Sequence, residues 1–155
     1  MINTQIDLIR KIRSKAIELI GGLSITELNK IPTGFNNNII WNLGHLVAAQ
    51  EGIFSLRGKL EPTFEQDFFN SFKNGSKPDH MMLAEEIEKI KSLLFSSLDQ
   101  LELDLDKNIF DNYPAWTTST GFEINSIEDA LIFLPFHEGL HLGQVMAYKR
   151  LILDN

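Results

Sequence analysis

The stretch His137-Glu138-Gly139-Leu140-His141 fits the pattern HExxH. Two histidines four residues apart on a helix project from one face, where both imidazoles can bind a single metal ion. In a zincin the intervening glutamate is the general base, and a third ligand follows downstream. From Leu142 to Asn155 the sequence carries no histidine or glutamate, and its one carboxylate is Asp154. A zincin protease is therefore set aside.

Two imidazoles alone make a weak site, so the third ligand is sought upstream, among His45 and His80. His45 lies in Trp41-Asn42-Leu43-Gly44-His45-Leu46, and Trp41, Ala48, Ala49 and Gly52 share its helical face. That face looks inward, and its small residues leave room beside the imidazole for an ion and a ligand. A lone inward histidine is more often a core residue bonded to a carbonyl, but the HxxxH pair shifts the reading toward a ligand. His80 follows the turn-forming Asn74-Gly75-Ser76-Lys77-Pro78-Asp79, with Asp79 or a neighbour as the helix cap, and is expected in solvent.

Trp41-Asn42-Leu43-Gly44-His45-Leu46, together with His137-xxx-His141-Leu142-Gly143-Gln144-Val145, resembles the DinB-like (DinB/YfiT-like) superfamily over nearly the whole chain. The resemblance implies an all-α fold, a four-helix bundle with long crossover connections, and a metal-binding triad that maps onto His45, His137 and His141. It also implies zinc or nickel as the metal. Members with assigned activities use low-molecular-weight thiols such as bacillithiol or mycothiol, as transferases or isomerases. The residue after the first HxxxH histidine varies in the family, so Glu138 inherits no role from it.

The expected centre is mononuclear, with one or more positions left for water or a small-molecule substrate. Such a site can lower the pKa of a bound water for hydrolysis, or bind a thiolate cosubstrate for transfer to an electrophile, and the resemblance favours transfer. Glu138, about 100° around the helix from His137, is a candidate catalytic base or a solvated carboxylate. Gln144 returns to the His137 face, where it orients a ligand or satisfies polar groups of the bundle; the structural role is favoured. Trp41 and Tyr148 are candidate pocket walls, although aromatic residues at such spacings are more often core, and Asn42 is a further polar candidate. Only Glu138, Gln144 and Asn42 offer polar support for turnover. The competing reading is a metal-binding or ligand-binding bundle without catalysis.

At 155 residues and 43% hydrophobic, the chain fits one domain, residues 1–155, with a substantial core. It has no cysteine, so imidazole, carboxylate and water are the available ligands. A net charge of −7 without a basic run argues against nucleic-acid binding. No apolar stretch is long enough to span a membrane, and the N-terminus lacks a signal-peptide core, so a soluble cytoplasmic protein is expected.

The elements that must position the histidines follow from apolar spacing. Ile6, Ile9, Arg13, Ala16, Ile17 and Ile20 mark a first helix closed by Gly21-Gly22, and Ser24-Ile25-Thr26-Glu27 reads as a capping box for a short one. The His45 helix runs to about Arg57. Residues 58–78 read as a packed crossover containing Phe64, Phe68, Phe69 and Phe72, whose exposure together with the resemblance suggests a homodimer. Leu83 to Leu101 step by three and four as a long amphipathic helix, and residues 102–125 read as irregular. Ser126 then caps the HxxxH helix, in which Pro135 either bends the axis or sits near its start.

Overall fold

The structure, a computed structural model, describes residues 2–110 and 112–154. Four long helices form the bundle: α1 (Ile2–Ile20), α3 (Ile39–Glu51), α5 (Ala84–Asp106) and α6 (Ile127–Leu153). Two short helices, α2 (Ile25–Asn29) and α4 (Gln66–Phe72), and a small hairpin of β1 (Trp116–Thr117) and β2 (Glu123–Ile124) fill the connections. Helix α1 packs on α5 and α6, and α3 packs on α4, α5 and α6. No helix among the described residues is long and apolar enough to cross a membrane.

The α1 stripe buries Ile6, Ile9, Ala16 and Ile20, and with them Arg13. The helix ends where Gly21 and Gly22 form a turn. Ser24 and Glu27 make the expected capping box on α2. Asn38 caps α3, accepting the Trp41 backbone N–H at 2.8 Å. Helix α3 is the central one, covered on several sides, and of its residues only Ala49 is not fully buried. It continues into a π-helical turn, Gly52–Leu56.

Helix α5 buries Ile87, Ile90, Leu94, Leu98, Leu101 and Leu105, so the four-residue step carries the helix through to Asp106. Residues 102–125 are thus less irregular than expected. They hold the end of α5 and the hairpin, in which Trp116 pairs with Ile124 and Thr117 with Glu123. Asp79 is not the cap of α5. That place belongs to Leu83, whose N–H donates to the Glu86 carboxylate at 2.8 Å, while Asp79 accepts from His80. Ser126 caps α6 as expected, and Pro135 lies well inside that helix.

The Phe-rich crossover covers the core instead of exposing an apolar face. Phe72 is buried, Phe64, Phe68 and Phe69 are half-buried against the same cluster, and Phe68 stands 4.8 Å from the Phe72 ring. Helix α6 does leave an apolar face open, with Ile132, Phe136, Leu140 and Met146 exposed.

Candidate metal centre

Helix α6 presents His137 and His141 one turn apart, and α3 presents His45 opposite them. The ring centroids are 4.7 Å apart for His45–His141 and His137–His141, and 5.2 Å for His45–His137. One ligating nitrogen from each ring lies within 4.8 Å of the others, and among the described residues no carboxylate joins the group. His80 is elsewhere, exposed, with its ring nitrogens on Asp79 and Glu86; those carboxylates raise its pKa.

Two of the three imidazoles are fixed from behind. The His45 Nδ1–H donates to the Phe72 carbonyl at 2.7 Å, and the His141 Nδ1–H donates to Asn42 Oδ1 at 2.8 Å. Each bond selects the tautomer that leaves Nε2 with a free lone pair. His137 Nδ1 is buried without a partner. Burial lowers the pKa of all three rings. For His137, the neighbouring His45 and Arg13 add to burial and bring it to about 4; for His141, His137 and His45 bring it to about 3. For His45, the Phe72 carbonyl partly opposes the effect of burial. Neutral imidazoles, set tautomers and an orphaned ring nitrogen fit a divalent cation held by His45, His137 and His141.

The local sequence explains how these bonds arise. Helix α4 ends at Phe72, leaving its last carbonyls without helical partners. Trp41 Nε1 donates to Ser71 O at 3.2 Å and His45 Nδ1 to Phe72 O, so two donors from α3 complete the end of α4. Gly44 makes that approach possible: a Cβ there would lie 2.4 Å from Phe72 Cδ1. The Trp41 ring also stacks on His45, 4.9 Å away and 9° from parallel.

Behind His141 runs a polar chain. Gln144 Nε2 donates to Tyr148 Oη at 2.6 Å, and Tyr148 donates to Asn37 Oδ1 at 2.8 Å. Asn42 Nδ2 donates to the same Asn37 oxygen at 3.0 Å. Gln144 and Asn42 are thus committed to holding the bundle and His141 in place. Tyr148 is buried in the core, whereas Trp41 lines the cavity above the histidines.

Glu138 neither faces solvent nor joins the histidines. It is fully buried beside Arg13, whose Nε donates to Oε1 at 3.0 Å and whose Nη2 donates to the same oxygen. Arg13 Nη1 also donates to Leu94 O at 2.6 Å, so this side chain ties α1 to α5 and α6.

The histidines open onto a cavity of about 780 Å³ between α3, α6 and the β1–β2 hairpin. Sequence reasoning missed three contributors to the site. Phe72 acts through its carbonyl, Trp116 and the following hydroxyl residues arrive on a hairpin, and Arg57 arrives through the π turn. None carries a signal in the periodicity. The partnership of Arg13 did leave one, since a charged residue on the buried stripe of α1 needs a counter-charge.

A family model of the DinB superfamily matches residues 8–145. The chain belongs to the DinB superfamily. The resemblance read from the Trp41–Leu46 and His137–Val145 segments is borne out, and with it the all-α bundle. This DinB-superfamily protein is also similar in fold to a conserved protein of Enterococcus faecalis known from a crystal structure. The TM-score is 0.70 at 14% identity, covering 99% of this chain and 97% of that one, a likeness that speaks for the fold alone. No curated protein matches the chain.

Proposed function

We propose that this DinB-superfamily protein is a metal-dependent enzyme with a mononuclear centre on His45, His137 and His141, and that it transfers a low-molecular-weight thiol to a small electrophile. The observation that carries the proposal is the convergence of three neutral imidazoles on one wall of a large open cavity. A bound zinc or nickel ion supplies Lewis acidity, which lowers the pKa of a thiol or water that reaches it.

The protein's own residues do the rest. Phe72 O and Asn42 hold two rings in register, and Trp41 stacks against His45. The cavity admits the thiol and the electrophile side by side, an effect of proximity and orientation. In the transfer the sulfur forms a bond to the electrophilic carbon, the leaving group departs with its electron pair, and the thiol proton passes to solvent. Hydrolysis is the less supported chemistry, because among the described residues no Asp or Glu lines the cavity as a general base and Glu138 is occupied by Arg13.

A second reading, a metal-binding or ligand-binding bundle without turnover, draws on the same lining. Asn42 and Gln144, the polar residues read from the sequence as support for turnover, are hydrogen-bonded inside the bundle and do not line the cavity. The deciding experiment incubates zinc- or nickel-loaded protein with low-molecular-weight thiols and a panel of alkyl and aryl electrophiles while thiol loss is followed. Metal-dependent loss that disappears in His45→Ala supports the enzyme. Stoichiometric metal binding without thiol loss on any pair supports the binding module.

A further inference from the structure

The cavity reverses the charge of the molecule around it. The chain carries 21 acidic against 14 basic residues, yet among the described residues the cavity lining includes Arg57 and Lys73 and no carboxylate. Arg57 is the more committed of the two. Its Cζ lies 3.8 Å from the centroid of the Trp116 ring, and among the described residues it meets no acidic group. Arg10, by contrast, pairs with Asp99 and Glu102, and Arg13 with Glu138. Among the described residues the Lys73 side chain donates only to the neutral Asn70 Oδ1, Nζ to oxygen 2.9 Å.

The platform under Arg57 is itself anchored. Trp116 Nε1 donates to Tyr113 Oη at 2.9 Å, and Tyr113 donates to Ile53 O at 2.7 Å, a carbonyl of the π-helical turn. That turn also aims the arginine. At about 100° per residue, Arg57 in an unbroken α-helix would point about 120° away from His45. The one extra residue of a π turn brings it back to within about 20° of the His45 direction. The histidine and the guanidinium consequently line the same cavity. Trp41, Phe69, Trp116 and Phe133 give the space between them aromatic walls.

We propose that this cavity takes an organic carboxylate with an apolar or aromatic body, its carboxylate held by Arg57 and its body on the aromatic walls. A guanidinium stacked on an indole keeps its hydrogen-bonding edge free and matches the two oxygens of a carboxylate. The inference rests on the proposed function in taking this cavity as the substrate site, and it names the substrate class.

The test uses 3-phenylpropionate and its neutral amide, 3-phenylpropionamide, titrated into metal-free protein so that a carboxylate cannot gain by ligating an ion. The two tryptophans of the chain, Trp41 and Trp116, both line the cavity, so intrinsic fluorescence reports binding. The carboxylate is expected to bind at least about tenfold more tightly than the amide, with the margin shrinking as salt is added. Arg57→Gln should abolish the margin without weakening the amide, Arg57→Lys should retain part of it, and Arg150→Gln, outside the cavity, should leave it intact. A carboxylate bound no more tightly than the amide, or a margin that survives Arg57→Gln, overturns the proposal. Metal analysis and thiol turnover separate its failure from that of the proposed function. Absence of the margin in the wild-type protein, with metal binding and turnover present, sinks only the carboxylate, and an intact margin in a protein that binds no metal sinks only the metal centre.

Discussion

Removing the Glu138 carboxylate tests whether it holds the bundle together or serves the chemistry next door. Its side chain and that of Arg13 are both 0% exposed, and both Arg13 contacts fall on Oε1, leaving Oε2 buried without a partner. Glu138→Ala leaves the Arg13 guanidinium buried beside Leu94 O and Ser97 Oγ with no counter-charge. Removing one member of such a pair costs about 3–5 kcal/mol. For a chain of this length each kcal/mol moves Tm by about 2–4 °C, so the expected drop is roughly 6–20 °C. Glu138→Gln keeps an acceptor for Arg13 and should fall at the low end of that range. Arg13→Met combined with Glu138→Leu removes both charges together. It should recover most of the loss, because apolar replacement of a whole buried pair is often neutral.

Urea denaturation of Arg13→Met, Glu138→Leu and the double variant, metal-free, yields the coupling energy directly. Variants that fold should still take up the metal, with affinity reduced far less than in His45→Ala, because the pair touches none of the three ligands. The reasoning fails if Glu138→Gln matches the wild-type midpoint within about 1 kcal/mol while turnover disappears, for the carboxylate would then be acting at the site.

Four further outcomes are expected. Replacing His45, His137 or His141 by Ala should strip the divalent metal while His80→Ala keeps it, and unchanged metal content in His45→Ala would reject the triad. Gly44→Ala forces Phe72 away from α3 and loosens the His45 bond, so metal affinity should drop about 10–100-fold, and unaltered affinity would show the Phe72 carbonyl to be dispensable. In metal-free protein the unfolded chain takes up protons as pH falls below the ordinary histidine value of 6.5, whereas folded His137 and His141 wait until about 4 and about 3. Stability should therefore fall from pH 6.5 toward 4, less steeply in His141→Gln, and identical slopes for the two proteins would refute this assignment. A homodimer should form through the open face of α6, where Ile132 and Phe136 are exposed and a Cβ at Gly143 would meet nothing; Gly143→Glu should leave the monomer folded and shift light scattering to a mass of 17.7 kDa, and a wild-type protein already at that mass when concentrated rules the dimer out.

What was legible in the sequence depended on period. The helix of His137 and His141, the inward face of His45, and the starts of α2 and α6 follow from spacing of three and four and from capping residues, which act within a few positions along the chain. The end of α5 was read short because Leu105 continues the stripe one turn beyond Leu101 amid acidic residues. The hairpin was not legible at all, since two-residue strands are too short to alternate. Arg57 lay beyond reach for a different reason: its direction depends on one extra residue in the preceding turn, and that offset is visible only in the backbone.

Glu138 shows why a motif must be completed by its surroundings. Its position fixes a direction about 100° from His137 and says nothing of what lies there. In a zincin that direction holds substrate and water, where a carboxylate can accept a proton. Here it holds α1, and Arg13 claims the carboxylate in the dry interior. The pair still bears on the metal centre. It ties α6 to α1 about 100° around the helix from His137 and so helps to fix the rotation that turns His137 and His141 toward α3. A glutamate beside a ligand can thus support a metal site through the helix that carries both, without touching the reacting atoms.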